Sequence, residues 1–190
     1  HPTVVCVTSG SALLNTAPAV AEAYYQHVPL IVIAADRPQQ WIDQLDGQTL
    51  PQPDALNRFV RRSVSLPEPR TEEERWYCNR LVNEALHAAT FRQPAPVLIN
   101  VPITEPLFTF DVAELPKERR FRMLDSEAAL TNTTVEVLQQ ELYQAKRPLI
   151  VVGQMAADSF GCSVFENNEL SKHIVEFAEP LSNTGVTSHY

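Results

Sequence analysis

The stretch Leu30-Ile31-Val32-Ile33-Ala34-Ala35-Asp36-Arg37-Pro38 decides the fold. Its apolar run is continuous rather than alternating, which predicts a strand buried on both faces, as in parallel sheets covered by helices. Upstream, Thr3 to Thr8 is a second apolar run rich in β-branched residues and reads as another buried strand, with Cys6 as a small core hydrophobe. Ser9-Gly10-Ser11 turns the chain, and residues 12–26 carry Leu13, Ala17, Val20, Ala21 and Tyr24 at helical spacing. Pro18 removes an internal hydrogen bond, so the helix is also readable as starting nearer that proline. Strand, helix and strand with short links make a βαβ unit.

Downstream, residues 36–69 are irregular, with five prolines and one glycine, and a long segment of this kind is more often functional than filler. A short helix is expected at 54–60, and Arg58, Arg61 and Arg62 are expected on a solvated or inter-subunit face. Thr71 and Glu74 match a capping box, and Leu81, Val82, Ala85, Leu86 and Ala89 continue a helix to about Phe91. Val97 to Val101 is a third buried strand. The pattern is lost from Ile103 to Asn132, returns as a helix over 134–145, and then reaches a strand at 148–153. Residues 154–172 have poor helical patterning, 174–178 reads as a strand, and 179–185 as a loop at its carboxyl end. The expectation is α/β: runs 3–8, 30–35 and 97–101 in one parallel sheet with flanking helices, and 148–153 opening a second α/β domain.

The chain has 190 residues, 15 Lys and Arg against 23 Asp and Glu, and a net charge of −8, which weighs against nucleic acid and anionic membranes as partners. Hydrophobic residues make up 44%, enough for a core. No apolar run approaches the roughly 20 residues of a membrane helix, so no stable membrane insertion is expected. Cys6, Cys78 and Cys162 are odd in number and far apart, which indicates neither a disulfide framework nor a metal site and fits a reducing, cytoplasmic setting. His1-Pro2 leads straight into the first strand and no element closes the other end, so the chain reads as an internal piece of a longer enzyme.

Neither GxGxxG nor GxxxxGK[ST] occurs. Gly10 sits between a strand and a helix, where an anion can meet backbone amides, although a tight turn with helix-capping hydroxyls explains Thr8-Ser9-Gly10 equally. The histidines are scattered without ligand spacing, and His87 reads as an ordinary half-buried side chain. Asp36-Arg37-Pro38 is more informative. It lies beyond the carboxyl end of a buried parallel strand, where open α/β sheets place ligands. Pro38 fixes the exit, Asp36 can hold the chain or orient Arg37, and the guanidinium can pair two-pronged with a carboxylate. A local structural Asp-Arg pair is the competing explanation. Gln48, after Gly47, offers amide donors and a carbonyl.

Thr8-Ser9-Gly10-Ser11-Ala12, Pro18-Ala19-Val20-Ala21-Glu22-Ala23 and the run from Pro29 to Pro38 together resemble the pyrimidine-binding domain of thiamine-diphosphate-dependent enzymes. The Ala-Asp-Arg-Pro ending is particularly similar to the MenD synthases of menaquinone biosynthesis. Residues 94–102 resemble the last strand of that domain, and 148–154 with 179–185 the opening of the central domain. The resemblance implies a truncated pyrimidine-binding domain at 1–105, a connector at 106–132 and the beginning of a central domain at 133–190. It implies a transferase that decarboxylates 2-oxoglutarate and joins the remaining carbons to isochorismate, using thiamine diphosphate with Mg2+ or Mn2+, in a homodimer or homotetramer with sites between subunits.

By the same resemblance, Arg37 and Gln48 would bind substrate, and Thr8, Ser9 and Gly10 would lie on the cofactor's aminopyrimidine side. The family often has Asn-Gln where this chain has Gly47-Gln48, so one contact is lost or supplied by Asp46. The glutamate that activates the aminopyrimidine, and the domain that holds diphosphate and metal, would lie outside residues 1–190. No catalytic residue or metal ligand is therefore assigned, Glu22 and Glu105 are not substitutes for that glutamate, and the piece alone is expected to be inactive. Two alternatives stand: another thiamine-diphosphate enzyme, such as an acetolactate synthase or 2-oxoacid decarboxylase, and a non-catalytic α/β scaffold or regulatory module with a structural Arg37.

Overall fold

The computed structural model describes residues 1–105, 112–124, 126, 128–155 and 174–183. The chain divides into two compact units, His1–Asp125 and Ser126–Tyr190. In the first, the order is β1 (Thr3–Val7), α1 (Ser11–Leu14), α2 (Ala17–Tyr25), β2 (Leu30–Asp36), β3 (Arg62–Ser65), α3 (Glu72–Thr90) and β4 (Val97–Pro102). The four strands form one sheet in the order β1-β2-β4-β3. Every pair is parallel, with Val5 opposite Val32, Ile33 opposite Ile99 and Val64 opposite Ile99 across their ladders.

The continuous run of β2 works as its composition predicts. Leu30, Val32 and Ala34 face a core shared with Leu13, Val20, Ala23, Leu56 and Val60. Ile31 faces the opposite core, built with Val64, Leu81, Ala85, Ala89, Val97 and Ile99. Each fully buried Val or Leu removes apolar area worth about 1.5–3 kcal/mol. A strand covered on both faces needs helices on both sides, and these are α1 and α2 on one and α3 on the other.

The expected helix at 12–26 is broken in two. Asn15 closes α1, and Pro18 stands in the first turn of α2, where its missing N–H costs nothing. α3 begins at Thr71 with the complete capping box: Thr71 accepts from the Glu74 N–H while Glu74 accepts from the Thr71 N–H. Two readings are corrected. β1 is an edge strand rather than a buried one, and Cys6 is exposed rather than in the core. The cause is positional: α3 packs over β2, β4 and β3 and leaves the Val4 and Cys6 face of β1 open among the described residues. β3 lies within the stretch read as irregular. It has one core residue, Val64, and is too polar to show an apolar run. The short helix expected at 54–60 is present as a single turn of 3-10 helix, Asn57–Phe59, preceded by tight turns from Gln52 onward.

The three arginines read as surface residues are all exposed, and two of them also act as staples. Arg61 donates to the Ala88 and Gln93 carbonyls, and Arg62 pairs with Glu84 at 2.7 Å while Arg58 is exposed. His87 is half-buried, stacked on Phe121. Residues 118–121 of the expected connector lie along α3, where Asn79 and Asn83 donate to the Arg119 carbonyl and Asn83 accepts from the Phe121 N–H.

The second unit contains α4 (Asn132–Gln144), capped by Thr131, and a parallel pair, β5 (Leu149–Val152) and β6 (Val175–Ala178). The expected strands at 148–153 and 174–178 thus form a sheet separate from the first. The helical reading of 154–172 lies almost wholly outside the described residues, as do 184–185 of the expected loop.

Candidate functional site at the carboxyl edge of the sheet

Parallel strands bring their carboxyl ends to one edge. β1 ends beside Thr8-Ser9-Gly10, β2 runs into Asp36-Arg37, and β4 ends at Pro102 opposite Asp36. The candidate residues therefore arrive at one place because of topology, before any side chain is considered.

A buried polar network ties these strand ends together. Gln52 is fully enclosed and uses its whole amide: its Oε1 accepts the Gly10 N–H at 2.6 Å, and its Nε2 donates to the Ala35 carbonyl at 3.0 Å and to Asn100 Oδ1 at 2.9 Å. Asn100, also fully buried, donates to Asp36 Oδ2 at 2.8 Å and to Ser65 Oγ at 3.1 Å. Asp36 Oδ1 accepts the Arg37 N–H at 2.8 Å, so Asp36 holds the chain as it leaves the strand. Satisfied networks of this kind fix one arrangement, whereas each orphaned group costs about 1–3 kcal/mol. Sequence reasoning missed Gln52 and Asn100. The available signal was an asparagine inside an otherwise apolar strand, since a buried amide demands partners.

Gly10 has φ +85°, and a Cβ there would meet the Gln48 backbone at 3.2 Å. Gln48 itself has φ +58° and an exposed side chain. The structure thus brings the Thr8–Gly10 turn and Gln48 together through backbone packing. Thr8 is exposed, whereas Ser9 is buried and the Gly10 N–H is already used by Gln52.

Arg37 lines an open cleft of about 550 Å³ with Trp41, Gln44, Asp46, Thr104 and Glu105. Its side chain is 25% exposed. Nη1 donates to Glu105 Oε1 at 3.1 Å. Nε is enclosed without a hydrogen-bond partner among the described residues; Asp46 Oδ2 stands 3.8 Å away, within ion-pair range but beyond a hydrogen bond. Asp46 also accepts the Gly47 N–H at 2.9 Å, which fixes its position beside the guanidinium. Thr104 donates its N–H to Glu68, and hydrogen bonds from Thr104, opposed by desolvation, hold the Glu68 carboxyl below its ordinary value.

Thr8 and the adjoining backbone offer the neutral polar contacts that an aminopyrimidine ring takes. Among the described residues no three His, Cys, Asp or Glu side chains gather where a metal ion could be held.

Residues 1–57 match the family described as thiamine pyrophosphate enzyme, N-terminal TPP binding domain. The chain is 49% identical to the 2-succinyl-5-enolpyruvyl-6-hydroxy-3-cyclohexene-1-carboxylate synthase of Bacteroides thetaiotaomicron, over 98% of this chain and 33% of that protein. It is 39% identical to the synthase of the same name from Porphyromonas gingivalis, over 95% of this chain and 31% of that protein. The chain therefore spans about a third of the length of the curated relatives it matches. Among solved structures, the benzoylformate decarboxylase of Polynucleobacter necessarius superposes with a TM-score of 0.57 at 18% identity, covering 79% of this chain and 27% of that one. A putative thiamin diphosphate-dependent enzyme from Mycobacterium smegmatis superposes with a TM-score of 0.57 at 17% identity, covering 80% of this chain and 28% of that one. These two show the fold. The family match and the similarity along nearly the whole chain agree: residues 1–57 are similar to the N-terminal domain of thiamine pyrophosphate enzymes, and the chain is similar to the 2-succinyl-5-enolpyruvyl-6-hydroxy-3-cyclohexene-1-carboxylate synthases over the third of their length that it spans.

Proposed function

We propose that the protein containing this chain is a 2-succinyl-5-enolpyruvyl-6-hydroxy-3-cyclohexene-1-carboxylate synthase of menaquinone biosynthesis, which decarboxylates 2-oxoglutarate and adds the remaining four-carbon unit to isochorismate. The observation that carries this reading is a backbone-anchored Arg37 facing an open cleft beyond a parallel strand. When bound, thiamine diphosphate supplies the electron sink for decarboxylation. In this reading Thr8, Ser9 and Gly10 lie on its aminopyrimidine side. Arg37 binds a carboxylate of isochorismate through the end of its guanidinium, where a planar fork matches both oxygens. Gln48 contributes amide contacts from the loop that packs on Gly10. Mg2+ or Mn2+ and the diphosphate are assigned to parts of the protein beyond residues 1–190.

The protein is proposed to be cytoplasmic and to act as a homodimer or homotetramer with sites between subunits. No helix among the described residues is long and apolar enough to cross a membrane. The domain reading places a partial pyrimidine-binding domain at 1–105, a connector at 106–132 and the start of a central domain at 133–190.

The test is an assay of the full-length protein with thiamine diphosphate and Mg2+ or Mn2+. Formation of the synthase product from 2-oxoglutarate and isochorismate is the expected result. Turnover of pyruvate or benzoylformate, with none of 2-oxoglutarate, would place the protein among other thiamine-diphosphate enzymes.

A further inference from the structure

Among the described residues, carboxylates already stand beside the guanidinium of Arg37 in its cleft. One guanidinium faces two carboxylates, Asp46 at 3.8 Å and Glu105 at 3.1 Å. Arriving carboxylate ligands therefore meet a net negative pocket unless one of these groups yields. The two differ in how they are held. Asp46 is fixed by the Gly47 N–H and by its own carbonyl's bond from Thr49 Oγ1. Among the described residues Glu105 has one partner, accepting at Oε1 from Arg37 Nη1, and its side chain is 69% exposed. The backbone leading to Glu105 is pinned: the Ile103 N–H bonds to the Asp36 carbonyl at 3.0 Å, and the Thr104 N–H bonds to Glu68. Only the Glu105 side chain is then left to swing, about a Cα held beside the site.

We propose that Glu105 is a displaceable placeholder: its carboxylate occupies one arm of the Arg37 fork in the free protein and leaves when an acceptor carboxylate binds. Asp46 stands on the Nε side and Glu105 on Nη1, so a carboxylate that takes the Nη1 and Nη2 end of the fork together must displace Glu105 from the guanidinium. Asp46 remains in place and, with Glu105 gone, balances the guanidinium's charge while setting its direction. The role is one of positioning and specificity: Glu105 keeps Arg37 extended into the cleft and charges a toll on weakly binding monoanions. The inference rests on the reading of Arg37 as the acceptor-binding residue.

The test uses the full-length enzyme with isochorismate varied at saturating 2-oxoglutarate. Glu105→Gln removes the competing charge, and KM for isochorismate is expected to fall about two- to five-fold at low ionic strength, the range of an exposed ion pair. The difference from wild type is expected to shrink with added salt, with kcat and the KM for 2-oxoglutarate unchanged, and Glu105→Asp is expected to stay near wild type. Arg37→Lys and Arg37→Ala are measured beside it, each with a thermal melt to establish folding. A KM for isochorismate that is equal or higher in Glu105→Gln, while the Arg37 variants raise it, overturns the placeholder and leaves the acceptor reading standing. Arg37 variants that fold and keep the wild-type KM overturn both.

Discussion

At the residue scale, Gln52 and Asn100 do more for the site than any residue whose type announces chemistry. Each spends its side-chain amide on strand ends that must stay in register, and neither has solvent to fall back on. Gln52→Leu and Asn100→Leu are each expected to cost about 1–3 kcal/mol in chemical denaturation, because the partners left behind are buried. The double variant should cost clearly less than the sum, since the two share one bond; strict additivity would show that the network does not act as a unit. Gly10 is a second case. Its φ of +85° and the 3.2 Å approach to Gln48 leave little room for a methyl group, so Gly10→Ala is expected to lower the melting temperature and disturb the Gln48 loop. A melt unchanged from wild type would show that the loop yields freely. The sequence made Arg37, Gln48 and the Thr-Ser-Gly turn visible because their types and positions are unusual. Gln52 stayed hidden because a glutamine in a proline-rich loop looks the same whether it points to water or into the core.

At the element scale, continuous apolar runs and capping chemistry carried most of the information. β2, β4 and α3 were legible because each obeys one rule along its whole length. β3 was not, because Arg62-Ser63-Val64-Ser65 is held by its ladder to β4 and by the single buried Val64, neither of which leaves a periodic trace. β1 misled through its composition: valines at an edge resemble valines in a core, and only sheet order shows that the Cys6 face lies open. For α3, Thr71→Ala is expected to cost about 0.5–2 kcal/mol. Glu74 gives the same cap a pH signature. Backbone N–H groups of Arg70 and Thr71, then the Thr71 hydroxyl, hold its carboxyl below the ordinary 4.5. A depressed carboxyl contributes stability that is present above its unfolded value and is lost as pH falls through its folded one. Stability should therefore decline below about pH 4.5, and less steeply in Glu74→Gln. Equal slopes in a pH series of denaturation curves would show that this carboxylate takes no part.

At the scale of the whole molecule, the parallel sheet explains why the candidate residues share one edge, and the chain's share of its relatives explains why the site is partial. The proposed function, with its site shared between subunits, predicts that full-length protein is at least dimeric. Light scattering on active enzyme checks this, and a fully active monomer would refute it. The separation of β5 and β6 from the first sheet was legible from a polar interval between apolar runs, whereas the packing of residues 118–121 along α3 was not, because backbone carbonyls and amides make most of those bonds. The central claim is that Arg37 binds the acceptor, and the most direct measurement is kcat/KM for isochorismate in folded Arg37→Ala and Arg37→Lys, beside the decarboxylation of 2-oxoglutarate. The account predicts a loss of about 2 kcal/mol, or roughly 30-fold, in Arg37→Ala, a smaller loss in Arg37→Lys and an unaltered decarboxylation step. An unchanged kcat/KM for isochorismate in folded Arg37→Ala would contradict it.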